Sequence, residues 1–94
     1  MRPTQTRDKK MLHVFKKEEL YLQRDNIRGD RFLDTYSNLI FTLQDGKFYD
    51  IYGDRIGELR GDKIYDSYGN WVAEFRGSYV YDTYGNQLCE IRKY

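Results

Sequence analysis

Residues that could support catalysis or bind a metal are few in this chain. His13 is the only histidine and Cys89 the only cysteine, so neither has a neighbour of its own kind for a zinc site. Cys89 stands where related segments carry Gly57 or Ala73, which favours a thiol that fills core space over one that attacks a substrate. The sequence contains no phosphate-binding loop and no nucleophile elbow. We therefore expect no enzyme activity and no cofactor.

Oxygen-bearing side chains stand in pairs that resemble part of a calcium loop. Asp50 and Asp54, and likewise Asp66 and Asn70, are four residues apart around a tight turn. The remaining ligand positions and the terminal glutamate of a calcium loop are missing. Because each aspartate already has a role in its turn, we favour the structural interpretation and expect no metal.

Tyrosine and aspartate are the two most abundant residue types in the chain. Ten residues are tyrosine, and aromatic residues make up 17% of the chain. Rings at regular spacing can stack on sugars or anchor a protein partner, but they can also pack against neighbouring hairpins. The candidate ligand-binding residues are Tyr52, Tyr68, Trp71 and Tyr84.

The regular spacing comes from four tandem repeats that each open with glycine. Two of them read GDKIYDSYGNWVAEFR and GSYVYDTYGNQLCEIR. The repeats span residues 29–45, 46–60, 61–76 and 77–92, and residues 19–28 are a candidate degenerate repeat. Self-similarity at this period indicates an array of one supersecondary unit.

Each repeat predicts a β-hairpin closed by an aspartate turn. The segment Asp66-Ser67-Tyr68-Gly69 is typical of a type I turn followed by a bulge, in which glycine takes the left-handed conformation. Asp34 to Ser37 has serine in place of that glycine, so we predict a strained turn or one that uses Asn38 instead. The residues assigned to turn structure are Asp34, Asp50, Gly53, Asp66, Gly69, Asp82 and Gly85, with Gly61 and Gly77 in the turns between repeats.

Short glycine turns join one repeat to the next. Gly61 and Gly77 each begin a two-residue connection typical of a type II′ turn, whereas Asp45-Gly46 is compatible with type I′. Tight turns at both ends of every strand make sequential strands antiparallel neighbours. We predict an all-β fold with eight or more short strands in a meander, curled into a small barrel or a strongly twisted sheet.

The N-terminal region departs from the repeats. Residues 1–18 read as an irregular basic arm, since residues 1–17 carry +5 and the rest of the chain −4. Residues 19–94 are expected to form one β-hairpin repeat domain. We favour extended structure over residues 19–28, although residues 9–23 are mostly good helix formers and a helix there is the alternative. Residues 11–15 are a candidate further strand, which would close the sheet by pairing with the last strand.

The stretch Tyr65-Asp66-Ser67-Tyr68-Gly69-Asn70 resembles the Tyr-Asp repeats of bacterial wrapping-shell and cell-surface proteins. It is also similar to the aromatic hairpins of choline- and glucan-binding modules, in which aromatic residues precede a D-x-x-G turn. Those modules use paired tryptophans, whereas this chain has only Trp71. The resemblances imply a tandem β-hairpin protein of bacterial or phage origin.

Together these features predict a non-catalytic binding or structural module. We expect its tyrosine-rich surface to contact a protein partner or a second copy of the chain. Carbohydrate binding by aromatic platforms, on cell-wall or other glycans, is the alternative. Nucleic-acid binding through the basic arm is a second alternative, disfavoured because aspartates stand beside the rings. No stretch has the length of a signal peptide or membrane span, so the expected location is the cytoplasm, or the cell surface if the chain is a fragment.

Overall fold

A computed structural model describes residues 11–16, 18–24 and 29–93 of the chain. Its strands form a closed β-barrel. Each strand pairs in antiparallel fashion with the next, and β1 pairs in parallel with β9 to close the barrel. The strands are β1 (Glu19–Gln23), β2 (Asp30–Leu33), β3 (Leu39–Gln44), β4 (Lys47–Tyr49), β5 (Arg55–Arg60), β6 (Lys63–Asp66), β7 (Trp71–Arg76), β8 (Tyr79–Asp82) and β9 (Gln87–Lys93). The predicted all-β meander of eight or more strands is confirmed, and of the two predicted forms the barrel is the one observed.

The aspartate turns have the predicted geometry. In the third repeat the Gly69 N–H donates to the Asp66 carbonyl at 3.1 Å, and the Asp66 N–H donates to the Asn70 carbonyl at 2.9 Å. Gly69 has φ 86°, as the left-handed position of the bulge requires. In the first repeat Ser37 itself takes that position with φ 67°. The turn is therefore strained at Ser37, and the alternative that Asn38 takes the left-handed position is wrong.

The glycine turns also match the sequence pattern. Gly61 and Gly77 have φ 63° and 61°, and each is the first central residue of its turn, as in type II′. Asp45 and Gly46 have φ 52° and 76°, so this connection has the two left-handed residues of type I′.

Alternating inward residues from the four hairpins build the core. The first strand of each repeat contributes one buried residue, and the second strand contributes a smaller or variable one. These residues are Phe32, Phe48, Ile64 and Val80, then Phe41, Ala73 and Cys89. A bulge in each hairpin shifts the register between its two strands. As a result Val72 and its equivalents in the other repeats, Ile40, Ile56 and Leu88, pack in or against the core.

Residues 11–15 fill the barrel lumen and form one helical turn, not the candidate strand. Met11 and Phe15 are fully buried, and the Phe15 N–H donates to the Leu12 carbonyl at 3.0 Å. The strand that closes the barrel is β1, which lies in the segment predicted to be extended. A helical turn suits the lumen because it satisfies part of its own backbone hydrogen bonding where no further strand edge is available. We call residues 11–15 the plug.

The plug explains why one repeat carries glycine at its interior position. A Cβ atom added at Gly57 would clash with the Met11 sulfur and lie 2.5 Å from the Tyr65 carbonyl oxygen. The plug begins inside the predicted arm, whose first ten residues lie outside the described residues. Within the part of the chain that the structure describes, no helix is long and apolar enough to cross a membrane.

Candidate functional site

One end of the barrel presents a group of exposed tyrosines. The four aspartate turns join β2 to β3, β4 to β5, β6 to β7 and β8 to β9, so antiparallel topology places them all at the same end. Each turn carries one tyrosine, and together they form what we call the tyrosine crown: Tyr36, Tyr52, Tyr68 and Tyr84. Their exposed fractions are 83%, 82%, 46% and 88%. This exposure leaves the rings of Tyr36, Tyr52 and Tyr84 available to a partner.

Aspartate side chains fix the backbone on which these rings stand. The Asp82 carboxylate oxygen Oδ1 accepts the N–H groups of Tyr84 and Asn86, both at 2.9 Å. The Asn86 side-chain amide donates to Oδ2 at 3.4 Å. These bonds, with the Asn86 N–H contributing most, hold the pKa of Asp82 below its ordinary value. Ionised aspartate thus acts as a turn element, and the tyrosine backbone is locked in place.

The same hydrogen-bond pattern recurs in the other turns with one gap. Asp66 is the most deeply buried of the turn aspartates, and its Oδ1 accepts N–H groups from Tyr68 and Asn70 at 2.9 Å. In the second turn Asp54 replaces the asparagine, so the amide donor present in the other three turns is absent. Asp50 still accepts the Asp54 N–H at 2.9 Å.

The turn carboxylates do not assemble into a metal site. Each Oδ1 atom is occupied by backbone N–H groups of its own turn. Among the described residues, no group of three or more histidine, cysteine or acidic side chains is placed to hold an ion. The Oδ1 atom of each turn aspartate therefore has a structural role within its own turn.

Trp71 does not belong to the crown, although it was predicted together with crown residues. It begins β7 and faces outward on the barrel wall, where it pairs with Tyr65. Its indole N–H donates to the Ala73 carbonyl at 2.8 Å, and the Lys63 ammonium lies 5.1 Å from the ring centroid. The ring is 42% exposed, but its donor and one of its faces are already engaged.

The structure brings Tyr52, Tyr68 and Tyr84 together and adds Tyr36, which the predicted site omitted. Tyr36 lies in the turn that has serine at the glycine position. Like the other three turn tyrosines, it stands two residues after the turn aspartate, and this shared position is the sequence signal that identifies it.

The outer wall of the barrel carries tyrosines of a different kind. Arg76 donates to Glu74 at 2.8 Å and lies 4.8 Å above the Tyr81 ring. This hydrogen bond holds the pKa of Glu74 below its ordinary value. Arg60 repeats the arrangement over Tyr65 at 4.6 Å. Guanidinium groups thus cover one face of Tyr65 and of Tyr81, whereas the rings of Tyr36, Tyr52 and Tyr84 extend into solvent.

Cys89 and His13, the only cysteine and the only histidine of the chain, lie in different environments. Cys89 is buried in the core, and burial raises the pKa of its thiol to about 12, so it is protonated at neutral pH. His13 lies on the exposed side of the plug.

In comparisons with known proteins, no family model, curated protein or solved structure matches this chain.

Proposed function

We propose that this protein is a non-catalytic binding module whose tyrosine crown contacts a protein partner. The observation that carries the proposal is the exposure of Tyr36, Tyr52 and Tyr84, each more than four-fifths exposed on a turn that an aspartate holds rigid. Tyrosine offers a large contact area with only two side-chain torsions to immobilise, so a fixed backbone lowers the entropic cost of binding.

Barrel closure directs any self-association toward the same surface. Every described strand has hydrogen-bonded neighbours on both sides, which leaves no strand edge for edge-to-edge pairing. The wall tyrosines are partly covered by arginine, so the crown offers the more accessible aromatic surface. A second copy of the chain would therefore use the crown as a hydrophobic anchor.

The test is a triple variant, Tyr36→Ser, Tyr52→Ser and Tyr84→Ser, compared with Tyr79→Ser. Tyr79 lies beside a glycine turn at the opposite end and is 38% exposed, so the control makes the same change away from the crown. We expect the triple variant to lose proteins that the immobilised wild type retains from a host lysate, and to lose any dimer seen by light scattering. Equal retention by all three proteins would contradict the proposal.

Carbohydrate binding is the second candidate, and the spacing of the rings favours it. Successive crown tyrosines stand two strands apart, or about 10 Å, which is a separation at which alternate sugars of an extended chain can stack. A glycan array, followed by calorimetry with any oligosaccharide that binds, tests this candidate. It predicts saturable binding that the triple variant lacks, and an array without signal would remove it.

A further inference from the structure

The end of the barrel opposite the crown opens into an apolar cavity. The second strand of each repeat ends with an inward apolar residue, and β1 contributes another. These residues are Leu22, Leu43, Leu59, Phe75 and Ile91, which pack against the core but remain only partly buried. They line a cavity of about 270 Å³, whose lining also includes Arg24 and the acidic residues Asp30 and Asp62. Large inward side chains that water still reaches are typical of a ligand site at a barrel mouth.

The plug lies on the inner side of this cavity. The ring of Phe15 is 6.1 Å from the ring of Phe75, which lines the cavity, and the buried Phe32 also contributes to the lining. The cavity therefore ends on aromatic rings within the lumen. Its volume lies just below the ~300–1,000 Å³ of sites for drug-sized ligands, so it fits a short acyl chain or a single ring.

Basic side chains flank one side of the mouth. Two depressions adjoin the cavity at Leu22, and their described lining residues include Arg24, Arg92 and Lys93 but no carboxylate. Arg92 is engaged by Glu19 and Glu90 at 3.5 and 3.4 Å. Arg24 lies 3.6 Å from Asp30, with its own side chain 71% exposed. The pair is long and its arginine side chain is exposed, whereas the Asp30 side chain is only 24% exposed, so a ligand carboxylate would compete with Asp30 for Arg24.

We propose that the barrel mouth binds a small amphipathic carboxylate. Its apolar tail occupies the cavity, and its carboxylate contacts Arg24 and Lys93. Burial of the tail supplies the affinity, and the two cations select the charge of the head group. This site is separate from the crown and does not depend on the function proposed for it.

The ligand can be tested on the full chain with four probes that separate tail from charge. Octanoate carries both features, octanol lacks the charge, octylammonium reverses it and propionate lacks the tail. We expect calorimetry to detect saturable binding of octanoate, with each of the other probes at least about tenfold weaker. Absence of octanoate binding, or equal binding of octanol or octylammonium, overturns the proposal.

Surface variants test the position of the head group without disturbing the core. Arg24→Glu combined with Lys93→Glu should weaken octanoate binding by about tenfold or more, because both contacts become repulsive. Asp30→Asn should strengthen binding by about threefold, since it removes the carboxylate that competes for Arg24. Arg55→Glu, at the crown end, is the matched control and should leave binding unchanged. If Arg55→Glu weakened octanoate binding as much as the Arg24→Glu and Lys93→Glu double variant does, the position assigned to the head group would be wrong.

A membrane surface is the other source of the same chemistry. Sedimentation with anionic phospholipid vesicles, in the presence and absence of free octanoate, distinguishes it from a free ligand. We expect octanoate to bind while the protein stays in the supernatant. Cosedimentation with vesicles, together with loss of octanoate binding, would replace the free ligand with a membrane and so contradict the proposal.

Discussion

Replacing Phe15 with alanine tests whether the plug is part of the core. Phe15 is fully buried, and its ring lies edge-on to the rings of Phe41 and Phe48 at centroid distances of 5.1 and 6.1 Å. Loss of a buried phenylalanine costs ~3–5 kcal/mol, and edge-on ring pairs of ~0.5–1.5 kcal/mol each place this site toward the upper part of that range. The barrel strands alone cannot collapse to fill the vacated space.

A loss of about 4 kcal/mol is a large part of the ~5–15 kcal/mol that stabilises a typical domain. For a domain of this size it lowers the thermal midpoint by roughly 16–32 °C. The assay is urea unfolding followed by circular dichroism, with thermal melting as a second measurement.

Two variants serve as controls. Phe15→Leu retains most of the buried volume and should cost about 1 kcal/mol, because hydrophobic replacements of similar size are tolerated best. Tyr84→Ala removes an exposed ring and should change stability by less than about 0.5 kcal/mol. If Phe15→Ala lowers the free energy of unfolding by less than about 1 kcal/mol, the plug does not occupy the lumen and the account of the core is wrong.

The remaining predictions concern turns and close packing. Gly57→Ala should destabilise the barrel by about 1–3 kcal/mol through overpacking, and the double variant with Met11→Ala should lose less stability than the sum of the two single losses, because the smaller side chain relieves one of the two clashes. Ser37→Gly should stabilise the folded protein by about 0.5–1 kcal/mol, since glycine relieves the left-handed strain but costs entropy in the unfolded chain. Urea midpoints measure the change in stability for the Gly57 and Ser37 variants. Asp54→Asn should raise the urea midpoint by supplying the missing amide donor, and an unchanged or lower midpoint would show that this bond contributes nothing. The pKa of Asp82 is lower in the folded state, so its stabilisation is complete above the unfolded value of ~3.9 and is lost as pH falls through the folded value. The stability difference between wild type and Asp82→Asn should therefore be largest near pH 7 and shrink below about pH 4.

The turns were predictable because their conformation depends on a few neighbouring residues. Glycine at 69 and 85 permits the left-handed position, and aspartate three residues earlier accepts N–H groups within the same turn. Short connections then leave antiparallel pairing as the only arrangement of successive strands. The crown follows from the same reasoning, since equivalent turns must lie at one end.

Two features of the site could not be read from the repeats. Trp71 follows an aspartate turn directly and was therefore grouped with the turn tyrosines, but the bulge turns its ring onto the wall, where Lys63 and the Ala73 carbonyl engage it. The mouth cavity arises from side chains on strands that are distant in sequence. Its shape depends on how these partly buried side chains pack together in the closed barrel, and no local pattern specifies that packing.

The amino-acid sequence by itself determined the hairpins, their turn types and the order of neighbouring strands, because each depends on backbone preferences within a few residues. Tertiary structure decided that the sheet closes through parallel pairing of β1 with β9, and that Met11 and Phe15 fill the lumen. Both depend on contacts between residues more than thirty positions apart along the chain. Such contacts form only when the curvature of the whole sheet brings them together and burial of apolar surface offsets the entropy lost in closing the chain.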